Sequence, residues 1–261
     1  MRRLSDLSKP LILNAKIFGQ ATSLPPLVIV HGLFGSARNW GVIGKRLADE
    51  RQVVAVDMRN HASSDWAASH SYEDLAGDLA DTLGELAQPV DILGHSMGGK
   101  AAMVLALQRP ELLRRAIIAD IAPVAYDHSQ IGPIEAMRGV DLGQITTRQD
   151  AADQMVGIEE GLAPFLLQLL DMKDKKWRLN LDVLATEMDR IVGFPDVAGH
   201  FEGPTLFLSG ADSTYVQPAH RGIIKRHFPT ARFAKIPGAG HWLHAQKPRE
   251  FEAAVRVFLA Q

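Results

Sequence analysis

The stretch VDILGHSMGGK, residues 90–100, decides how the rest of the chain is read. Its first four residues are an apolar run closed by Gly94. Its last residues lead into Lys100–Gln108, which reads as a helix. Between them, Gly94 to Gly98 has the form Gly-x-Ser-x-Gly. By composition alone such a pattern arises in about one chain in ten of this length. Its weight comes from context, because it follows a buried strand directly and opens a helix directly. A turn that sharp holds its serine in a strained backbone conformation, and the flanking glycines let the chain close around it. Ser96 is then presented alone above a sheet edge, beside a helix N-terminus whose N–H groups favour negative charge. The competing reading is a glycine-rich turn that merely caps the helix.

Outward from this turn the same rhythm repeats. LVIV (27–30) ends at His31-Gly32, VVAV (53–56) at Asp57, and AIIA (116–119) at Asp120. TLFL (205–208) ends at Ser209-Gly210 and RFAKI (232–236) at Pro237-Gly238. Short β-branched or leucine-rich runs without polar alternation are what strands covered on both faces look like. Residues 39–50 and 72–87 carry apolar side chains three and four apart, the helical spacing. Strand–helix alternation predicts an α/β fold, a mostly parallel sheet with helices on both faces. Sites in such sheets lie beyond the carboxyl ends of the strands, where the polar residues named above fall. No strand-like run occurs between 124 and 197; helices are expected at 147–157, 162–171 and 180–191. A segment that long is no loop. It predicts a helical cap, 124–197, inserted into a core made of 1–123 and 198–261.

A serine hydroxyl becomes a nucleophile only beside a base. Of ten histidines, His241 is the candidate, because PGAGHWLH (237–244) is a glycine-bearing loop between the last strand run and a helix opened by Pro248. Serine early and histidine late is the chain order of hydrolases built on such sheets. His244 is expected to fix that loop or line the pocket, and His95 to point away from Ser96. His200, His220 and His227 have no motif around them and read as surface residues. HGLFGS (31–36) follows the first strand run, and its glycines allow backbone to approach the nucleophile. Two N–H donors to an oxyanion are expected, one from Met97 and one from Leu33. The bland reading of this loop is an ordinary glycine turn.

Composition sets the outer limits. Hydrophobic residues make up 46% of 261, enough for a sizeable core, and the net charge is −2 with a pI near 6.6. No basic stripe appears, so the footprint of a nucleic-acid binder is missing. There is no cysteine, hence no disulfide framework or cysteine metal site. No apolar run reaches the ~18 residues of a membrane span, and the N-terminus lacks a signal-peptide core. The chain therefore reads as soluble and cytoplasmic, a monomer or homodimer. No HExxH pattern occurs, and neither metal nor cofactor is expected.

HGLFGS, DMRNHASS (57–64), GHSMGGK, ADIAP (119–123) and GAGHWLH together resemble α/β-hydrolase-fold esterases, most closely the small bacterial YbfF-type esterases. The resemblance implies a serine esterase acting on small to medium acyl esters or thioesters through an acyl-enzyme. In DMRNHASS, Asp57 and Arg59 are expected to be structural, and Asn60 and His61 to approach the pocket without being catalytic. Ala62 replaces a glycine frequent in relatives. In many relatives the acid behind the histidine stands three residues after the glycine that ends the penultimate strand. Here that position is Ser213, with Asp212 one residue early. Asp120, ending the strand expected beside that of Ser96, offers another solution, which the YbfF-type resemblance also implies. Asp120 is preferred, Asp212 stays the alternative, and Ser213 is expected to support the acid or the histidine. Leu162, Phe165, Leu166, Leu169 and Leu170 are candidates for an acyl site, although a stripe at helical spacing more often packs a cap onto its core. Two other functions use the same residues: carbon–carbon bond hydrolysis or lysis, and ligand binding with slow turnover.

Overall fold

The protein is described from a computed structural model, which covers residues 11–86, 88–159 and 161–261. The N-terminal residues 1–10, read above as lacking a signal-peptide core, lie outside the described residues. In chain order the strands are β1 (Ala15–Phe18), β2 (Leu27–Val30), β3 (Val53–Val56), β4 (Val90–His95), β5 (Leu113–Ala119), β6 (Leu170–Asp171), β7 (Lys176–Trp177), β8 (Thr205–Gly210) and β9 (Arg232–Ile236). The helices are α1 (Gly41–Leu47), α2 (Tyr72–Gly84), α3 (Met97–Gln108), α4 (Ile131–Arg138), α5 (Arg148–Gln154), α6 (Leu162–Leu166), α7 (Leu181–Thr186), α8 (Met188–Val192), α9 (Arg221–His227), α10 (Leu243–Gln246) and α11 (Pro248–Leu259).

Seven strands form one sheet in the order β1-β3-β2-β4-β5-β8-β9. All neighbours pair in parallel except β1, which runs antiparallel to β3. The expected parallel α/β sheet is present, and its side chains show why the strand runs are apolar throughout. Val28, Val30, Val54, Val56, Ile92 and Ile118 join a cluster with α2 and α3. Their alternates Leu27, Ile29, Val53, Ala55, Leu93 and Ile117 join a second cluster with α1 and α11. A strand buried on both faces cannot alternate apolar with polar.

Two features differ from the sequence reading. β1 was not expected: Ala15, Lys16 and Ile17 are exposed and only Phe18 is buried, so the strand carries almost no hydrophobic signal. It forms because β3 offers it a free edge. Between β5 and β8 the expected long helices break up. Residues 162–171 become α6, a 3-10 turn and β6, which pairs with β7 in a two-residue ribbon. Residues 181–192 split into α7 and α8 around Glu187. Leu166, Leu169 and Leu170 are buried in the cluster shared with α2 and α3, and so attach this segment to the sheet. Polar ties add to that attachment. The Tyr72 hydroxyl donates to the Ile191 carbonyl at 2.6 Å, and the Ala62 N–H to Arg178 at 2.7 Å.

Candidate active site

Ser96 stands between β4 and α3 with φ 53° and ψ −122°, a conformation costing a non-glycine residue about 1–3 kcal/mol. The glycines around it are required by close approach. A Cβ on Gly94 would lie 2.4 Å from the Gly98 carbonyl, and one on Gly98 the same distance from that of His31. The turn therefore tolerates no side chain at either position.

His241, in the loop after β9, reaches back over the sheet. Its Nε2 lies 3.0 Å from Ser96 Oγ and its Nδ1 2.8 Å from Asp120 Oδ2. Asp120 follows β5, is fully buried, and has φ 51°. Its Oδ1 accepts the Gly210 N–H at 3.1 Å, and its Oδ2 also accepts the Ser213 hydroxyl at 2.5 Å. The structure thus brings together Ser96, His241, Asp120 and Ser213. Asp212 is not among them: it is exposed and lines an adjoining cavity.

Leu33 and Met97 line the same cavity as Ser96 and His241, about 90 Å³ in volume. Their backbone N–H groups have no acceptor among the described residues. The neighbouring N–H of Phe34 is already committed, donating to His61 Nε2 at 3.2 Å. Behind this loop lies a buried row of imidazoles. Met58 N–H donates to His31 Nε2 at 2.9 Å, and His31 and His61 have ring centroids 5.1 Å apart. Burial lowers His31 to about 4. Burial, with His31 adding, lowers His61 to about 3. Both rings are neutral at physiological pH and free to accept on one nitrogen. Asp57 accepts the Ala37 N–H at 2.7 Å, and Arg59 pairs with buried Asp78, so both hold loops as expected. Ala62 keeps φ 50°, the backbone a glycine would adopt without strain.

Other histidines fall into place. His95 makes no bond to Ser96; its Nε2 donates to the His241 carbonyl at 2.9 Å and so steadies the loop that carries His241. His244 stacks on Trp40 at 4.3 Å and is buried. His200 is exposed, while His220 and His227 are half-buried.

Three side chains at the site were not anticipated. Tyr215 stacks on the His241 ring at 4.0 Å and 20°. Tyr126 donates its hydroxyl to the Tyr215 carbonyl at 2.8 Å and accepts the Ala122 N–H. Lys100, fully buried, donates to the carbonyls of Val192 at 2.8 Å and Gly193 at 2.5 Å, tying α3 to the end of α8. Its only sequence signal is a lysine among alanines and methionines on a helix with no polar face. Of the leucine-rich candidates, Leu162 and Phe165 line the cavity; Leu166, Leu169 and Leu170 pack into the core instead. No group of metal-ligating side chains occurs among the described residues.

A mostly parallel sheet with a serine turn at the carboxyl end of a central strand defines the class: this is a hydrolase of the esterase type. The chain belongs to the alpha/beta hydrolase family, whose model matches residues 27–254. It is 42% identical over 265 residues to the sn-1-specific diacylglycerol lipase ABHD11 of Mus musculus, covering 97% of this chain and 86% of that protein. It is 40% identical over 242 residues to Esterase YbfF of Escherichia coli, covering 90% and 92%. A solved structure named as a marine microorganism esterase matches with a TM-score of 0.89 and 36% identity, covering 95% of this chain and 99% of that one. The expected resemblance to YbfF-type esterases therefore holds. No helix of the described residues is long and apolar enough to cross a membrane.

Proposed function

We propose that the protein hydrolyses small to medium acyl esters, with Ser96 as nucleophile, His241 as general base and acid, and Asp120 as the carboxylate that orients the imidazole. The observation carrying this reading is the single imidazole that lies 3.0 Å from a serine hydroxyl on one side and 2.8 Å from a buried carboxylate on the other. His241 Nε2 takes the Ser96 proton as Oγ attacks the acyl carbonyl. The oxyanion accepts the N–H groups of Leu33 and Met97, an interaction worth about 2.7–4 kcal/mol per donor. The imidazolium returns its proton to the departing alcohol, leaving an acyl-enzyme. Water, deprotonated by His241, then attacks the same carbonyl and releases the acid. Ester and water thus become acid and alcohol, with the enzyme restored. Ser213 holds the Asp120 carboxylate in position. Residues 124–197 act as a cap on the core of 1–123 and 198–261, with Leu162 and Phe165 walling the acyl side. The small cavity beside Ser96 favours short chains.

The test is hydrolysis of p-nitrophenyl esters from acetate to decanoate, with Ser96→Ala beside the wild type. Turnover that peaks at short chains and vanishes in the variant is expected. Absence of turnover on every ester would overturn the esterase reading in favour of carbon–carbon bond hydrolysis or ligand binding.

A further inference from the structure

The cavity beside Ser96 is the smaller of two spaces that open at His241. A second cavity of about 410 Å³ shares Gln130, Leu162, Tyr215, His241 and Trp242 with it, so the two meet at the base. An ester whose carbonyl carbon sits at Ser96 Oγ, with its acyl chain in the inner cavity, must place its alcohol half in the outer one. The walls of the two spaces differ. The inner cavity is mainly apolar. The outer one is lined by Ser129, Thr214 and two exposed carboxylates, Glu159 and Asp212, and by Ser213, whose hydroxyl is turned to Asp120; among the described residues no lysine or arginine lines it. Lys100 lines only the inner cavity, where two backbone carbonyls hold it. The phenol of Tyr215, stacked on His241, is pushed up to about 12 by burial, with Asp120 and Glu159 adding to the effect.

Resting on the esterase reading above, we infer that the outer cavity is the leaving-group site and that Asp212 and Glu159 are specificity-determining residues, selecting uncharged, hydroxyl-bearing alcohols and rejecting leaving groups that carry phosphates. Like charges repel at close quarters, and a cleft walled by one sign of charge excludes ions of that sign before contact. Hydroxyl walls, by contrast, offer donors and acceptors to a polyol. The residue passed over as partner of the histidine thus faces the other half of the substrate.

The test keeps one acyl group and changes only what leaves. Butyrate is presented as its glycerol ester, as its N-acetylcysteamine thioester, which is neutral, and as its coenzyme A thioester, which is polyanionic. kcat/KM is measured at low and at high salt for the wild type, Asp212→Lys and Glu159→Lys. The two thioesters share the same reacting atoms but differ in size as well as charge, so charge is read from the salt dependence of their ratio and from its response to charge reversal. In the wild type the neutral thioester is expected to be favoured about tenfold or more at low salt, with the gap narrowing as salt screens it. Either charge reversal should move that ratio towards the coenzyme A thioester by about tenfold. Equal kcat/KM for the two thioesters in the wild type would overturn the inference, as would reversals that change both alike. Failure of the wild type on all three substrates would instead overturn the esterase reading and this inference with it.

Discussion

Replacing Asp120 by asparagine tests the site at the point where geometry makes the strongest demand. The substitution preserves shape and removes one charge from a fully buried position. In the wild type all three neighbours of the carboxylate donate to it: Gly210 N–H to Oδ1, and Ser213 Oγ and His241 Nδ1 to Oδ2. An asparagine can accept on one side only. If its oxygen faces Gly210, its NH₂ group faces His241, which must then accept on Nδ1 and carry its proton on Nε2. That tautomer cannot take the Ser96 proton. If the amide is flipped, its NH₂ group opposes the Gly210 N–H, and a buried donor loses its partner at about 1–3 kcal/mol. The first arrangement disables the base; the second keeps its tautomer but leaves the Gly210 N–H buried without an acceptor, so the first is expected to dominate. The expected loss in kcat is about 10⁴-fold at neutral pH, or about 5.5 kcal/mol of barrier. The assay is release of p-nitrophenol from the butyrate ester, run beside a thermal melt to show that the variant is folded. The loss in Asp212→Asn should be at least a hundredfold smaller. A folded Asp120→Asn variant within tenfold of wild type would refute the reasoning, and so would a larger loss in Asp212→Asn.

Three further outcomes follow from the surroundings of the site. His61→Leu removes the acceptor of the Phe34 N–H and should lower kcat about ten- to a hundredfold by loosening the Leu33 donor, with KM changing less than about threefold; His61→Gln, which keeps an acceptor, should recover most of the loss. Burial holds His31 near 4, and His61 and His244 near 3, below the ordinary value of 6.5. Their unfolded forms bind protons that the folded forms refuse, so stability is complete above pH 6.5 and falls by up to about 1.4 kcal/mol per pH unit per histidine below it; a denaturation midpoint that stays flat from pH 7 to pH 5 would contradict this. Burial likewise lowers Lys100 from 10.5 to about 7, so wild-type stability should rise relative to Lys100→Met between pH 7 and 10, by up to about 1.4 kcal/mol per unit, in chemical denaturation at each pH.

How far the fold is legible in the chain depends on how each element is held. Strands β2 to β5 and β8 are visible as apolar runs because helices cover both faces of each, and the period-2 split of Leu27 and Ile29 from Val28 and Val30 goes to two different clusters. β1 is held by backbone pairing at a sheet edge, which leaves no trace in side-chain hydrophobicity. The stripe at 162–171 looks like one amphipathic helix, yet its leucines serve different purposes. Leu162 faces the cavity, while Leu166, Leu169 and Leu170 anchor successive short elements in the core. Helical spacing records that these residues are buried and cannot record where the backbone turns between them.

The position of the carboxylate shows the same limit from the side of the site. Motif spacing alone left Asp120 and Asp212 open, because the answer depends on which strands are neighbours. In the sheet β5 lies beside β8, with Ala119 opposite Leu208, so residues following the two strands emerge at the same place. The left-handed backbone of Asp120 turns its carboxylate under His241, and the β8 side contributes donors instead of the acid: first the Gly210 N–H, then the Ser213 hydroxyl. Ser213 is the residue at the spacing where relatives carry the acid, and it is the one whose side chain reaches inward. Asp212, one residue earlier, faces out into the larger cavity. A direct exchange of roles between Asp212 and Ser213 is therefore closed to this backbone. In the proposed site the carboxylate of Asp120 comes from the residue after β5 and its Ser213 donor from the loop after β8, and the two meet beneath the same imidazole.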